Sequence, residues 1–416
     1  MSQAIIESYE SEVRSYCRAF PTVFTTARGS IMTDVDGRDF IDFFCGAGAL
    51  NYGHNPDFIK ERLVDHLQSS HIVHALDMNT VAKREFLEAL ETRILKPRGF
   101  DYKVQFTGPT GTNAVEAALK LARKVTKRTN IFAFMGCFHG MSLGSLALTS
   151  DAGSRAGAGM PMGQVTHLPA PYQFGEDYAI EFLRTVLCDD HSGIDKPAAI
   201  VLETVQAEGG IHVLSNSFLQ AVETIAHDHD VLVIVDDIQV GCSRTGTFLS
   251  FERAGIHPDM VCLSKSISAF GLPFAVTLLK PELDIWTPAE HNGTFRANQL
   301  ALVAGTAGID ITLDQHVEAG VRERGEIVAA FLNSEIRDRF EGVEVRGLGL
   351  IWGIDVHDDA TCARIQRACF ERGLIIERAG RHNGVLKLMP SLVIPEDTLR
   401  QGLEIIRDAM AEVLTY

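Results

Sequence analysis

The feature that constrains this chain most is a pair of short apolar runs, each ending in a charged residue. Residues 231–235 read Val-Leu-Val-Ile-Val and precede Asp236, and residues 260–263 precede Ser264 and Lys265. Unbroken apolar runs of this length are typical of strands buried on both faces of a parallel sheet. Open α/β sheets bind ligands at the carboxyl ends of their strands. We therefore expect Asp236 and Lys265 to face one crevice.

An acid and a lysine at one crevice are what a pyridoxal phosphate enzyme requires. The lysine amine can form a Schiff base with the cofactor aldehyde, and the carboxylate keeps the pyridine nitrogen protonated so that the ring accepts electrons. For either residue taken alone, the commoner interpretation is a solvated charge without a chemical role. The pair becomes informative through the residues around it.

The surrounding motifs resemble those of the class III, ornithine-type aminotransferases. They read Asp-Asp-Ile-Gln-x-Gly-x-x-Arg-Thr-Gly at 236–246, Leu-Ser-Lys-Ser at 263–266 and Gly-Leu-Pro-Phe-Ala at 271–275. The likeness extends from about residue 20 to 395 and is strongest to the diaminobutyrate-forming subgroup of ectoine synthesis. It implies a pyridoxal 5'-phosphate cofactor, with Lys265 and Asp236 as catalytic residues and Gln239 near the phenolic oxygen of the ring.

The resemblance also implies the architecture. This is an α/β, fold-type I transferase, with a large domain of mostly parallel sheet flanked by helices and a small α/β domain built from both chain ends. We place the N-terminal part of the small domain at 1–50, the large cofactor-binding domain at 51–318 and the C-terminal part at 319–416. The sequence further predicts a helix over 5–16, a hairpin turning at 36–37, and a strand-like run over 347–355.

A phosphate site is predicted between a strand at 103–107 and a helix at 112–126. Thr110, Gly111 and Thr112 would present backbone N–H groups and hydroxyls at the helix N-terminus, where unpaired amides and the helix dipole favour an anion. The alternative is an ordinary helix capped by Thr110 or Thr112. Most class III relatives carry glutamate where this chain has Asn113.

Two further motifs follow predicted strands at 132–134 and 199–202. In Gly-Cys-Phe-His-Gly at 136–140, the resemblance places Phe138 and His139 at the cofactor ring. After the second strand it places Glu203 near the cofactor. It also implies that Glu208 gates the substrate pocket by pairing with a C-terminal cation, which is Lys387 here. Lysine cannot make the planar two-pronged contact of the usual arginine, but the diaminobutyrate-forming subgroup shares the lysine.

Two loops complete the predicted site. Tyr52, in the glycine-rich loop that begins at Gly46, is a candidate at the substrate entrance, and the alternative interpretation is a plain irregular loop. Thr294, in His-Asn-Gly-Thr-Phe at 291–295, matches a threonine that in the family reaches the phosphate of the neighbouring subunit. The resemblance thus implies a homodimer with shared active sites, possibly a tetramer.

Composition excludes several other classes of protein. The net charge of −16 argues against a nucleic-acid partner, because phosphate-backbone binding depends on clustered Lys and Arg. No apolar stretch is long enough for a membrane span, and no export signal is visible, so we expect a cytoplasmic protein. The eight cysteines are scattered without zinc-ligand spacing, so no metal site is expected.

The predicted reaction is transfer of an amino group from glutamate to a terminal aldehyde. The subgroup resemblance favours aspartate 4-semialdehyde as acceptor, which gives 2,4-diaminobutyrate and 2-oxoglutarate; all substrates are small molecules. Departures from the family pattern at Ala207, Ala269, Phe270 and Ser391 leave a second hypothesis open, namely γ-replacement, carbon–carbon bond formation, racemisation or decarboxylation with the same cofactor. The third hypothesis is a structural or interaction protein of the same fold that binds no cofactor.

Overall fold

A seven-stranded sheet lies at the centre of the computed structural model, which describes residues 4–414. Its strands, in order across the sheet, are Lys103–Phe106, Val276–Leu279, Met260–Leu263, Leu232–Asp236, Ala199–Leu202, Ile131–Phe134 and Val165–Leu168. All neighbours pair in parallel except Val276–Leu279, which is antiparallel to both of its neighbours. The predicted, mostly parallel sheet is thereby confirmed.

Three smaller sheets accompany it. One contains Phe24–Arg28, Ile31–Asp34, Asp39–Asp42 and Leu374–Ile375; a second contains Glu344–Leu348, Ile351–Asp355, Val385–Leu388 and Glu377–Ala379; a third pairs Val205–Gln206 with His212–Val213. The α-helices are Ala4–Tyr9, Tyr16–Ala19, Cys45–Gly48, Asp57–Gln68, Val81–Ala89, Gly111–Thr126, Leu143–Leu148, Ala152–Arg155, Pro171–Phe174, Glu176–Cys188, Asn216–Asp228, Gln299–Asp314, Val317–Phe331, Asp359–Glu371 and Glu396–Leu414.

The central strands are buried on both faces, as their apolar sequences predict. Every residue of Ile131–Phe134, Ala199–Leu202 and Met260–Leu263 is buried. The helix Gly111–Thr126 packs small side chains against this sheet, including Ala114 and Ala118, so that its axis can approach the strands closely. The central sheet is therefore tightly packed and shielded from water, and the carboxyl ends of its strands can hold polar side chains in fixed positions.

Both ends of the chain contribute to one small sheet. Asp39–Asp42 pairs in parallel with Leu374–Ile375, at Ile41 opposite Leu374. The predicted hairpin is confirmed, because Ile31–Asp34 and Asp39–Asp42 are antiparallel neighbours on either side of the turn. The domain boundaries near residues 51 and 319 stay predictions.

Two predicted elements were wrong. The helix predicted over 5–16 ends at Tyr9 and a separate short helix begins at Tyr16. Ile5 and Tyr9 are 63% and 84% exposed, so tertiary packing does not stabilise a longer helix there. The run over 347–355 is a hairpin, with Gly349 at φ +57° between its strands. A Cβ on Gly349 would lie 2.5 Å from the Arg244 carbonyl oxygen, so only glycine fits.

Among residues 4–414, no helix is long and apolar enough to cross a membrane.

Candidate active site

The carboxyl ends of four adjacent central strands form one side of a cavity. Asp236 ends its strand in register with Cys262 of the neighbouring strand, and Lys265 follows that strand. Glu203 and His139 follow the next two strands of the sheet. The cavity is lined by Gly111, Thr112, Phe138, His139, Gly140, Glu203, Val205, Glu208, Asp236, Ile238, Gln239, Val240 and Lys265. The structure thus brings most of the predicted site residues together.

Asp236 is held by a buried histidine. Its Oδ2 lies 2.7 Å from His139 Nδ1, and its Oδ1 accepts a hydrogen bond of 3.2 Å from the Ile238 N–H. Burial opposes the charge on His139, but Cys137 and Asp236 beside it raise the pKa of the imidazole well above its usual range. The pair therefore places a fixed carboxylate in the cavity.

Lys265 stands in a strained turn fixed by its serine neighbours. Its φ is +50°, an uncommon conformation for a residue with a side chain. Ser264 Oγ donates to the Phe274 carbonyl oxygen at 2.7 Å, and Ser266 Oγ donates to that of Gly48 at 2.6 Å. Burial lowers the pKa of Lys265, with Glu208 opposing and Lys387 reinforcing the shift. A lowered pKa makes the neutral amine, the form that accepts a proton, more available.

The helix that begins at Gly111 points its N-terminus into the cavity. Thr110 is its N-cap, and the Thr110 N–H and hydroxyl both donate to Asn113 Oδ1, at 3.2 and 2.8 Å. The Asn113 side chain thus completes the N-terminal cap of this helix. A Cβ on Gly111 would lie 2.9 Å from Ile238 Cδ1, so a larger residue here would have to displace the Ile238 side chain. Gly111 and Thr112 line the cavity, and the exposed Thr110 stands just outside it.

A loop beside this helix is tied down by a residue that the sequence did not suggest. Glu116 Oε1 accepts hydrogen bonds from the N–H groups of Gly144 and Ser145, at 2.8 and 3.1 Å. Thr112 Oγ1 lies 2.5 Å from Ser142 Oγ in the same loop. Glu116 therefore orients the hydroxyl groups around the helix N-terminus. An acidic residue one turn into a helix gives no sequence signal for this role.

Glu203 is a buried carboxylate bound by backbone amides. Its Oε1 accepts from the Phe138 N–H at 3.0 Å and its Oε2 from the Ala207 N–H at 3.3 Å. Burial raises the pKa of Glu203 to about 7, although His139 and these amides act in the opposite direction. Glu203 thus fixes the loop that carries Phe138.

The opposite wall carries a buried charge cluster. Lys387 Nζ lies 2.5 Å from Glu208 Oε1 and 2.9 Å from Glu377 Oε2, and the lysine side chain has no exposed surface. Gln239 Nε2 donates to the same Glu208 oxygen at 3.0 Å and to the Ala47 carbonyl at 3.1 Å. Burial disfavours every charge here, yet Lys387 with Lys265 lowers the pKa of Glu208 to about 2, and the two glutamates raise the pKa of Lys387.

Lys387 lies behind Glu208 without lining the cavity, and two other predicted residues lie away from it. Tyr52 is buried in a neighbouring apolar cluster, with its hydroxyl 2.7 Å from Thr312 Oγ1. Thr294 is exposed on a surface loop. Sequence reasoning also missed Glu377. It is opposite Lys387 in the antiparallel pairing of their two strands, which the sequence pattern does not reveal.

Together these groups fit pyridoxal phosphate. The helix N-terminus suits its phosphate, Lys265 its aldehyde, and Asp236 its ring nitrogen. His139 Nε2 and Gln239 Oε1 are buried polar atoms without a partner in the described part of the chain, as expected of groups that await a polar ligand. The fold and the site thus define a pyridoxal phosphate-dependent enzyme.

Comparison with known proteins identifies the family. The family model for class III aminotransferases matches residues 14–410. Proteins named diaminobutyrate–2-oxoglutarate transaminase from Nocardia farcinica and Streptomyces coelicolor are 50% and 49% identical; the alignments cover 99% and 98% of this chain and 94% and 98% of theirs. The chain belongs to the class III aminotransferase family. It is therefore an aminotransferase with pyridoxal 5'-phosphate as cofactor, which decides against the other two hypotheses.

Solved structures share the fold. An aminotransferase from Bacillus anthracis superposes with a TM-score of 0.89 at 23% identity, covering 99% of this chain and 98% of that one. Ornithine aminotransferase from Toxoplasma gondii gives a TM-score of 0.87 at 23% identity, covering 99% and 93%. At this identity the likeness establishes the fold-type I architecture alone.

Proposed function

We propose that this aminotransferase moves an amino group from glutamate to aspartate 4-semialdehyde, giving L-2,4-diaminobutyrate and 2-oxoglutarate. The full-length identity of about one half to relatives named for diaminobutyrate and 2-oxoglutarate carries the proposal.

In this reaction each side chain of the sheet edge has a defined task. Pyridoxal phosphate supplies an aldehyde that takes up the amino group and a ring that accepts electrons. Asp236, oriented by His139, holds a negative charge where the ring nitrogen would carry its proton. Lys265, with its lowered pKa, would carry a proton from the substrate carbon to the carbon of the cofactor's aldehyde, and back again in the reverse direction. Gly111 and Thr112 would hold the phosphate.

The opposite wall suits two unlike amino donors. Glutamate reacts at a carbon that bears a carboxylate, whereas diaminobutyrate reacts at its terminal carbon, which bears none. When Glu208 covers Lys387, this lysine is not free to bind a carboxylate next to the reacting carbon. Displacement of Glu208 by the glutamate carboxylate would expose that cation. One site can thus serve both half-reactions.

The test is a single-turnover screen of the loaded enzyme. Glutamate and 2,4-diaminobutyrate should each convert the cofactor to its amine form, seen as a change in its absorbance. Ornithine and 4-aminobutanoate serve as matched controls of different length or charge. If glutamate reacts and diaminobutyrate does not, the second substrate is wrong while the family assignment stands.

We also propose a cytoplasmic homodimer with shared active sites, in which Thr294 reaches the partner's phosphate. The exposure of Thr294, away from its own cavity, supports this. In mixed dimers of Lys265→Ala and Thr294→Ala chains, one site carries both changes and the other is intact. If Thr294→Ala alone is nearly inactive, random remixing should restore about a quarter of wild-type activity. Activity equal to the mean of the parents, with exchange verified by mass, would contradict the shared site.

A further inference from the structure

Lys387 is held between two carboxylates rather than one. Glu377 faces it across the antiparallel pair Glu377–Ala379 and Val385–Leu388, and Glu208 approaches it from the large-sheet side. The Glu377 side chain is buried and that of Glu208 is 31% exposed, and one ammonium can neutralise only one of the two carboxylates. Burial raises the pKa of Glu377, while Lys387 beside it acts in the opposite direction and favours the ionised form. With both carboxylates ionised, the cluster of Glu208, Lys387 and Glu377 has one negative charge in surplus, and a surplus charge largely withdrawn from water calls for a cation.

Neighbouring groups do not supply that cation. Arg378, adjacent to Glu377, is paired with Asp359. Tyr16 lies on the solvent side of Glu377, and burial together with the charges of Glu377 and Glu208 raises the pKa of its phenol, so it stays neutral. Lys265, the other nearby amine, is the residue that the cofactor would engage.

The surplus charge is available on the cavity side. Glu377 is 6% exposed and does not line the cavity, whereas Glu208 does. Glu208 uses one oxygen, Oε1, for both Gln239 and Lys387, and within residues 4–414 its Oε2 accepts no hydrogen bond. The backbone of Glu208 is fixed to the strand end beyond Glu377, because the Gly380 N–H donates to the Glu208 carbonyl at 3.0 Å.

We infer that Glu377 is a positioning residue for substrate specificity: by pairing with Lys387 it leaves Glu208 an unbalanced negative charge that binds the second ammonium group of a diamine donor. This inference rests on the proposed function. The proposed role of Glu377 explains why Lys387 has a second carboxylate beside it, although one carboxylate would neutralise the lysine. It also explains how Glu208 can attract a cation while Glu208 contacts Lys387.

The experiment compares two donors that differ by one ammonium group, 2,4-diaminobutyrate and 4-aminobutanoate. KM and kcat of each half-reaction are measured for three cofactor-loaded proteins, namely wild type, Glu377→Gln and Glu377→Asp. If 4-aminobutanoate does not react, its inhibition constant replaces KM in the comparison. Glu377→Gln should lose about tenfold of the preference for the diamine, mostly through KM, as expected for loss of one charged contact. Glu377→Asp should keep most of the preference.

A control variant removes another carboxylate of the C-terminal sheet. Asp355 pairs with Arg346 at 2.7 Å and does not touch Lys387, so Asp355→Asn should keep the wild-type preference. Glutarate, a dicarboxylate without an amine, should inhibit Glu377→Gln at least as strongly as wild type, because a negative charge has been removed from the site. Weaker inhibition would mean that Lys387 no longer stands in the site and would contradict the inference.

The outcomes separate the two proposals. If wild type uses diaminobutyrate but Glu377→Gln retains the full preference, or changes both amines by the same factor, the role of Glu377 is refuted and the proposed function stands. If wild type does not use diaminobutyrate, the proposed function fails, and this inference fails with it.

Discussion

The cofactor wall and the substrate wall of the cavity are built in different ways. On the cofactor wall, Asp236 ends a strand of one sheet, and Lys265, Glu203 and His139 each follow another strand of that sheet, so strand pairing sets the order of these residues along the wall. On the substrate wall, Glu208 follows the two-residue strand Val205–Gln206, whereas Lys387 and Glu377 belong to the C-terminal sheet. This wall depends on the packing of separate sheets.

An apolar cluster holds the substrate wall together. Its buried members come from both sides of the junction and are Val205, Ala207, Ile211, Val240, Ile351, Ala379, Val385 and Met389. Ala207, a departure from the family's usual glycine, is one of them and is 1% exposed. The groups proposed for the chemistry thus lie along one buried sheet, whereas those proposed for specificity lie at a junction between separate sheets.

The largest effect should come from the cofactor wall. Lys265→Ala removes the proton-transferring amine, a contribution of about 10²–10⁴-fold, together with the covalent attachment of the cofactor. We expect both half-reactions to be lost beyond detection in stopped-flow absorbance, while pyridoxal phosphate still binds through the helix N-terminus. Wild-type half-reaction rates in this variant would place the chemistry elsewhere.

On the substrate wall the largest change should be in stability. Lys387→Met leaves the buried Glu377 without its cation and the partly exposed Glu208 with only the Gln239 amide, which costs about 3–5 kcal/mol in the free energy of unfolding. Lys387→Arg keeps the positive charge and should lose much less. Urea unfolding of both variants checks this expectation. Equal stabilities of Lys387→Met and wild type would mean that the cluster is open to water.

Asp236→Asn should damage chemistry with little change in assembly. The amide retains one acceptor toward His139 but loses the charge that keeps the ring nitrogen protonated, so both half-reactions should slow by about 10²–10³-fold. Asp259→Asn is the matched control: this buried carboxylate precedes the strand Met260–Leu263, at its opposite end from Lys265. It should affect stability without a comparable loss of rate.

The smallest effect is the pH dependence of Glu203. Burial raises its pKa from the usual 4.5 to about 7. Between these values the unfolded chain releases the proton while the folded chain keeps it, so the free energy of unfolding falls as pH rises, by up to about 3 kcal/mol. Glu203→Gln has no carboxyl group at this position, so its free energy of unfolding does not show this fall with pH. On cofactor-free protein, its stability relative to wild type should therefore be higher at about pH 8 than at about pH 5.

The exposed Glu282 provides the reference for that measurement. Glu282→Gln should shift stability equally at both pH values, because a solvated side chain interacts weakly in either state. A pH-independent difference for Glu203→Gln as well would contradict the raised pKa.

The sequence by itself determined the cofactor wall. The apolar runs before Asp236 and Lys265, and the strand before Glu203, specify buried parallel strands, and the carboxyl ends of such strands meet at one edge. The helix N-terminus was predicted likewise, with Thr110 or Thr112 as its possible cap, and the structure selects Thr110 and adds Asn113 as its partner. These inferences succeed because they depend on local periodicity and on a general rule of sheet geometry.

Only the tertiary structure decided the substrate wall. The contacts of Lys387 with Glu208 and Glu377 depend on strand register in one sheet and on its packing against another. The end of the N-terminal helix at Tyr9 and the burial of the Tyr52 side chain against Thr312 were also invisible to local pattern. Sequence periodicity reports which face of an element is apolar, but not which distant element covers that face, and long-range packing makes that choice.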